Sequence, residues 1–137
     1  MRYLIDTNVL YELAKEKPST EVTKWLSSHA DDTLLISTIT IGEIACGIEK
    51  KEAGKAKEKL ADWFKTVLLE WFKGATIDLD TETMLFWGRL RASERTLPIL
   101  DSQIAAAALA HNAVLVTRNT KDFDGIAGLL MENPFPK

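Results

Sequence analysis

Four acidic residues, Asp6, Glu43, Asp101 and Asp122, each stand beside a stretch that reads as the end of a strand or the start of a helix. Asp6 directly follows the apolar run Tyr3-Leu4-Ile5. Glu43 lies in the first turns of a helical stretch that follows Thr33-Leu34-Leu35-Ile36. Asp101 precedes the alanine-rich run from Ser102 to His111, and Asp122 follows Ala113-Val114-Leu115-Val116-Thr117 by a short turn. Carboxylates brought to one spot repel each other, so such a group persists when a divalent cation is bound or some members are protonated. Oxygen donors without Cys or His select Mg²⁺, with Mn²⁺ as the alternative, over zinc. The chemistry that fits is metal-assisted hydrolysis of a phosphodiester. Taken singly, the same residues have simpler uses: Asp6 and Asp101 as helix caps, Glu43 as a solvated helix residue, Asp122 as a loop charge.

The elements that would position these groups alternate between short strands and helices. Asp6-Thr7-Asn8 favours a cap or turn, and a short helix is expected from Val9 to Lys17, stopped by Pro18. Ser19 and Thr20 can cap a second helix carrying Val22, Trp25 and Leu26. Ile41, Ile44, Ala45 and Ile48 recur at i, i+3, i+4, i+7, which predicts a helix over 37–51. Leu60, Trp63, Phe64, Val67, Leu68, Trp71 and Phe72 keep a 3.6-residue period, which predicts one helix from Ala56 to Lys73, ended by Gly74. Ala75-Thr76-Ile77 is a further strand candidate, a helix is expected from Thr81 to about Glu94, and Leu129-Leu130-Met131 reads as a last edge strand. The pattern implies one α/β domain over 1–137, with a short-stranded parallel sheet between helical layers. In an open parallel sheet, ligands collect outside the carboxyl ends of the strands, where the four acidic residues fall.

Composition bounds the function classes. The chain has 137 residues, 46% hydrophobic and 27% charged, which suits one well-formed core. No apolar run approaches the roughly 18–20 residues of a membrane span, and no leader-like segment opens the chain, so a cytoplasmic location is expected. Cys46 is the only cysteine, which excludes an internal disulfide and a thiolate metal cluster. Neutralising the four acidic residues turns the formal net charge of −3 into +1, so the acidity is concentrated where a cation would offset it.

The flanking residues carry a resemblance. Leu4-Ile5-Asp6-Thr7-Asn8-Val9 is similar to the opening motif of PIN domains. Ser37-Thr38-Ile39-Thr40-Ile41-Gly42-Glu43-Ile44 resembles their second motif, Leu97-Pro98-Ile99-Leu100-Asp101-Ser102-Gln103-Ile104-Ala105 their third, and Val116-Thr117-Arg118-Asn119-Thr120-Lys121-Asp122-Phe123 their fourth. The four occur in order over nearly the whole chain and look most like the VapC-type toxins of toxin–antitoxin pairs. The resemblance implies a three-layer PIN-like fold and an endoribonuclease requiring Mg²⁺ or Mn²⁺. It also implies Asp6, Glu43, Asp101 and Asp122 as the acidic set, with Asp6 and Asp101 the most direct metal ligands. Thr7, Asn8 and Thr117 match supporting polar positions, and Asp124 is a further acidic neighbour. A cognate antitoxin and a homodimer are the partners it implies.

Other features admit two readings. Trp25, Trp63, Trp71 and Trp87 suit either core packing or a protein interface. The lysines from Lys50 to Lys65 interleave with acids, as on a solvated helix face. Arg118 and Arg95 are better placed to meet RNA phosphates. His29 and His111 have no catalytic partners. An aspartate-nucleophile phosphatase of the haloacid-dehalogenase type would want a second Asp where Asn8 stands, and no glycine-rich loop suggests nucleotide binding. A non-catalytic PIN-like protein-binding module is the remaining alternative.

Overall fold

The computed structural model describes residues 1–93 and 96–137. In chain order the elements are β1 (Tyr3–Ile5), α1 (Thr7–Leu13), α2 (Thr20–Ser27), β2 (Leu34–Ser37), α3 (Thr38–Lys50), α4 (Lys55–Trp63), α5 (Leu69–Trp71), β3 (Thr76–Ile77), α6 (Thr81–Ser93), α7 (Ile99–Ala110), β4 (Val114–Val116) and β5 (Met131–Glu132). The strands form one sheet in the order β3-β2-β1-β4-β5, with every pairing parallel. Parallel neighbours need crossovers, and helices supply most of them.

Register sorts the side chains into two cores. Leu4 pairs with Leu35 and with Leu115, and all three turn to one face. Ile5 pairs with Val116, and together with Leu34 and Ile36 they turn to the other. Both faces are buried, which is why the strands read as unbroken apolar runs rather than alternating ones. On the first face α6 and α7 cover the sheet, and Ala105, Ala106, Ala107 and Ala108 are wholly buried. Side chains that small bring the α7 backbone close to both sheet and α6. On the second face lie α1, α2, the later turns of α3, and the stretch from α4 to α5.

Several bounds differ from expectation, each for a local reason. The first helix starts at Thr7, not Val9, and ends at Leu13, not Lys17. The buried Glu12 carboxylate accepts from Lys15 Nζ at 2.8 Å and from the Ser19 amide at 2.9 Å, which turns the chain early toward α2. The helix expected over 56–73 is interrupted by a π-helical turn, Phe64–Leu68, in which the Leu69 N–H reaches back to the Phe64 carbonyl. The wider turn keeps Phe64, Leu68 and Phe72 in the core while leaving Val67 about half exposed. Helix α7 begins at Ile99, with Pro98 as its cap and the Pro98 carbonyl accepting from Ser102 N at 2.9 Å. The edge strand lies at Met131–Glu132, slightly later than expected.

The tryptophans belong to the packing. All four are half-buried against the cores, and three have bonded N–H groups: Trp25 to Glu132 at 3.1 Å, Trp71 to Asp31 at 3.3 Å, and Trp87 to Ser102 at 2.9 Å. The exposed apolar side chains lie elsewhere, chiefly Leu85 on α6 and Ile99 and Leu100 on α7.

Candidate active site at the carboxyl edge of the sheet

β1 is flanked by β2 and β4, so the chain leaves it on one side and returns on the other. The crevice of such a sheet lies at the carboxyl ends of these three strands. Asp6 stands at the end of β1 and is only 6% exposed. It does cap α1, its Oδ1 accepting from the Thr7 amide at 2.8 Å. The second oxygen is committed too. Oδ2 accepts from Thr117 Oγ1 at 2.8 Å and from Asn8 Nδ2 at 3.2 Å. Thr117, fully buried at the end of β4, in turn accepts from the Asn119 amide at 3.1 Å. Asn8 Oδ1 accepts from the Arg118 amide at 3.1 Å, tying α1 to the turn after β4. Asp6 is thus a helix cap whose second oxygen is tied to the end of β4.

Glu43 is held from the other side. Its Oε1 accepts from Thr7 Oγ1 at 2.7 Å, and Thr7 Oγ1 also lies 3.1 Å from Thr40 Oγ1. Thr7 has one hydroxyl proton and a carboxylate can only accept, so Thr40 donates to Thr7 and Thr7 to Glu43. The buried Thr40 is a supporting residue that the sequence reading did not single out. Its position one helical turn before Glu43, on the same face of α3, was the available signal.

Asp101 is not the cap of its helix, as one reading had it. It occupies the first turn of α7, three residues past Pro98. Burial lifts its carboxyl above the ordinary value of 3.8, and the negative charges of Asp6, Glu43 and Asp122 lift it further. Asp6 is also raised, chiefly by burial, with the Thr117, Thr7 and Asn8 bonds acting the other way. Asp122, in the turn Thr120–Phe123, and Asp124 line a cavity of about 390 Å³ with Asp101, Lys121 and Ile126. None of the four acids is in an ion pair among the described residues. Arg118 rests over the Phe135 ring, 4.4 Å from its centroid. Arg95 lies outside the described residues.

These shifts predict a pH dependence. A folded-state pKa above the unfolded one contributes stability that is complete below pH 3.8 and is lost as pH rises through the raised value. The apoprotein should therefore gain from losing the Asp101 charge, and gain more at neutral pH. Urea midpoints of wild type and Asp101→Asn in EDTA, from about pH 4 to pH 7, should diverge in favour of the variant as pH rises. A constant difference would show that Asp101 titrates normally.

All donors in this arrangement are oxygens, and Asp6 and Asp101 are the two carboxylates whose charge burial disfavours. Among the described residues no three Asp, Glu, His or Cys side chains stand close enough to ligate one ion together.

Comparison with known proteins is consistent with this geometry. A family model described as PIN domain matches residues 3–129. The chain is 31% identical over 136 residues to the VapC ribonuclease Y4jK of Sinorhizobium fredii, covering 96% of each. The solved structure of FitAcB from Neisseria gonorrhoeae superposes with a TM-score of 0.87 at 28% identity, over 96% of this chain and 97% of that one. A toxin–antitoxin complex from Klebsiella pneumoniae superposes with a TM-score of 0.75 at 28% identity, over 98% and 99%.

Proposed function

The chain belongs to the PIN domain family, and on that premise we propose that it is a divalent-metal-dependent endoribonuclease serving as the toxin of a toxin–antitoxin pair. The observation that carries the reading is that the charges of Asp6, Glu43 and Asp122 all act on Asp101. Asp101 is pushed up by burial and by three neighbouring carboxylates, with no cation of the chain paired to any of the four among the described residues. A site so arranged is completed by a cation.

In this reading Asp6 and Asp101 would hold the metal. Bound Mg²⁺ or Mn²⁺ supplies Lewis acidity to the phosphodiester and lowers the pKa of the attacking water. The chain does the rest. Thr117, Asn8 and the Thr7 amide fix the Asp6 carboxylate, so no reorganisation is needed when charge develops. Thr7 takes up Oε1 of Glu43 and leaves Oε2 to receive a proton from water as its oxygen attacks phosphorus. The bond from phosphorus to the leaving ribose oxygen then breaks, that oxygen takes a proton from solvent, and Glu43 returns its own to solvent. Asp122, with Asp124 beside it, completes the acidic wall.

Residues 1–137 act as one domain in this proposal, and the site of action is the cytoplasm. No helix of the described residues is long and apolar enough to cross a membrane. The partners in this proposal are RNA, a cognate antitoxin and a second copy of the chain. The deciding experiment is cleavage of fluorescent single-stranded RNA. Activity should vanish in EDTA and return with Mg²⁺ or Mn²⁺ but not with buffer alone. Metal-independent binding of a protein partner, with every RNA left intact, would favour the non-catalytic module.

A further inference from the structure

The hydroxyl of Thr40 is turned away from its own helix. Ser37 caps α3, its Oγ accepting from the Thr40 amide at 3.3 Å. Thr40 therefore stands in the first turn, at the position from which a side chain often reaches back to the cap. Its Oγ1 lies instead 3.1 Å from Thr7 Oγ1 on α1. Thr40 is 1% exposed, so water does not compete for the hydroxyl, and a β-branched side chain is stiff at χ1. The fold thus holds Thr40 as a fixed donor aimed at one oxygen.

That oxygen is the one that holds Glu43. Thr7 donates its only hydroxyl proton to Glu43 Oε1 at 2.7 Å, the short range of a bond to a charged acceptor. A hydroxyl rotates to suit its partners, so a donor on its lone pair limits where its own proton can lie. Such a donor also polarises the hydroxyl and strengthens the bond it makes onward. Glu43 is half-buried on a long side chain, whose rotamers are many until one oxygen is tied down. Thr40 and Glu43 are three residues apart on one face of α3, and Thr7 comes from α1, so the three close a ring through two helices.

We infer that Thr40 is a positioning residue for RNA cleavage: by donating to Thr7 it keeps the Thr7 proton on Glu43 Oε1, and so holds Oε2 where it receives the proton of the attacking water. The inference rests on the nuclease reading above and adds to it the residue that sets the Glu43 carboxylate. Buried as it is, Thr40 meets no substrate and acts through Thr7. Its hydroxyl adds little to stability, because valine fills the same space and the half-buried Thr7 stays bonded to Glu43 without it.

The test compares stability with activity in Thr40→Val and Thr40→Ser, because the two should rank the variants in opposite orders. Thr40→Val keeps the shape and loses the donor. Its urea midpoint should stay near that of wild type while kcat falls about tenfold with KM unchanged, the low end of the loss when a partner of a site carboxylate is removed. Thr40→Ser keeps the donor and loses a buried methyl group. Its midpoint should drop, and its kcat should stay within about threefold of wild type. In a Thr7→Val background, Thr40→Val should cost nothing further, since the path to Glu43 is already cut. A readout without metal or RNA is the NMR signal of the Glu43 carboxyl carbon in EDTA, which should move in Thr40→Val and hold in Thr40→Ser. Activity that follows stability, with Thr40→Ser the poorer enzyme, overturns the positioning role. So does a Thr40→Val loss confined to KM, or a Glu43 signal that Thr40→Val leaves in place. Losses that multiply in the double variant overturn the path through Thr7. RNA left intact by wild type overturns the nuclease reading, and the role of Thr40 falls with it.

Discussion

Asp6→Asn is expected to lower RNA cleavage by about two to three orders of magnitude at saturating Mg²⁺, the scale seen when one preorganised electrostatic group is removed from an active site. The substitution preserves shape and changes charge. Both oxygens of Asp6 are bonded, Oδ1 to the Thr7 amide and Oδ2 to Thr117 and Asn8. An asparagine can satisfy one side with its carbonyl, but its NH₂ then faces a donor on the other. Burial also disfavours the Asp6 charge, so losing it offsets the lost bond. The protein should therefore remain folded, with circular dichroism unchanged, while kcat collapses. Asp101→Asn should behave in the same way. It accepts no comparable set of bonds, and the repulsion it relieves comes from Asp6, Glu43 and Asp122. Activity within tenfold of wild type in both variants would remove them from the metal site.

Phe123→Ala is expected to cost about 3–5 kcal/mol, the range for emptying a buried aromatic site. That is a large part of the roughly 5–15 kcal/mol that holds a domain of this kind together. Phe123 is 1% exposed and packs in the core on the α6–α7 face, with Leu115 and Ala108 among its cluster. It also ends the short turn that presents Asp122. Losing the ring should thus loosen the acidic wall as well as the core. Urea denaturation gives the first effect. Phe123→Leu gives the second, since it keeps the fold at a smaller cost and should still lower kcat several-fold. A variant with normal stability would mean that the turn is anchored by its backbone alone. Normal kcat in Phe123→Leu would mean that Asp122 does not depend on the ring.

Much of this was legible in the chain itself. Apolar runs at Tyr3–Ile5, Leu34–Ile36 and Val114–Val116 are strands because both sheet faces are buried, and such runs need no tertiary information to stand out. Strand ends then fixed where Asp6, Glu43 and Asp122 begin to matter. Helix bounds were less legible. The π turn at Phe64–Leu68 keeps the same residues apolar, so periodicity reads it as ordinary helix. Asp101 looked like a cap because Ser102 opens the alanine run. The chain instead enters the helix at Ile99, behind Pro98.

What sequence alone determined, then, was a candidate set of carboxylates, their order and the kind of element beside each. Only the tertiary structure decided which groups meet. Asp6 and Thr117 are 111 positions apart, and Thr7 and Glu43 are 36 apart. They are brought together by β1 lying between β2 and β4 in one register. Periodicity reports only neighbours within a turn or a pleat, so it cannot foresee such pairs. The same limit hid Thr40 behind Thr7.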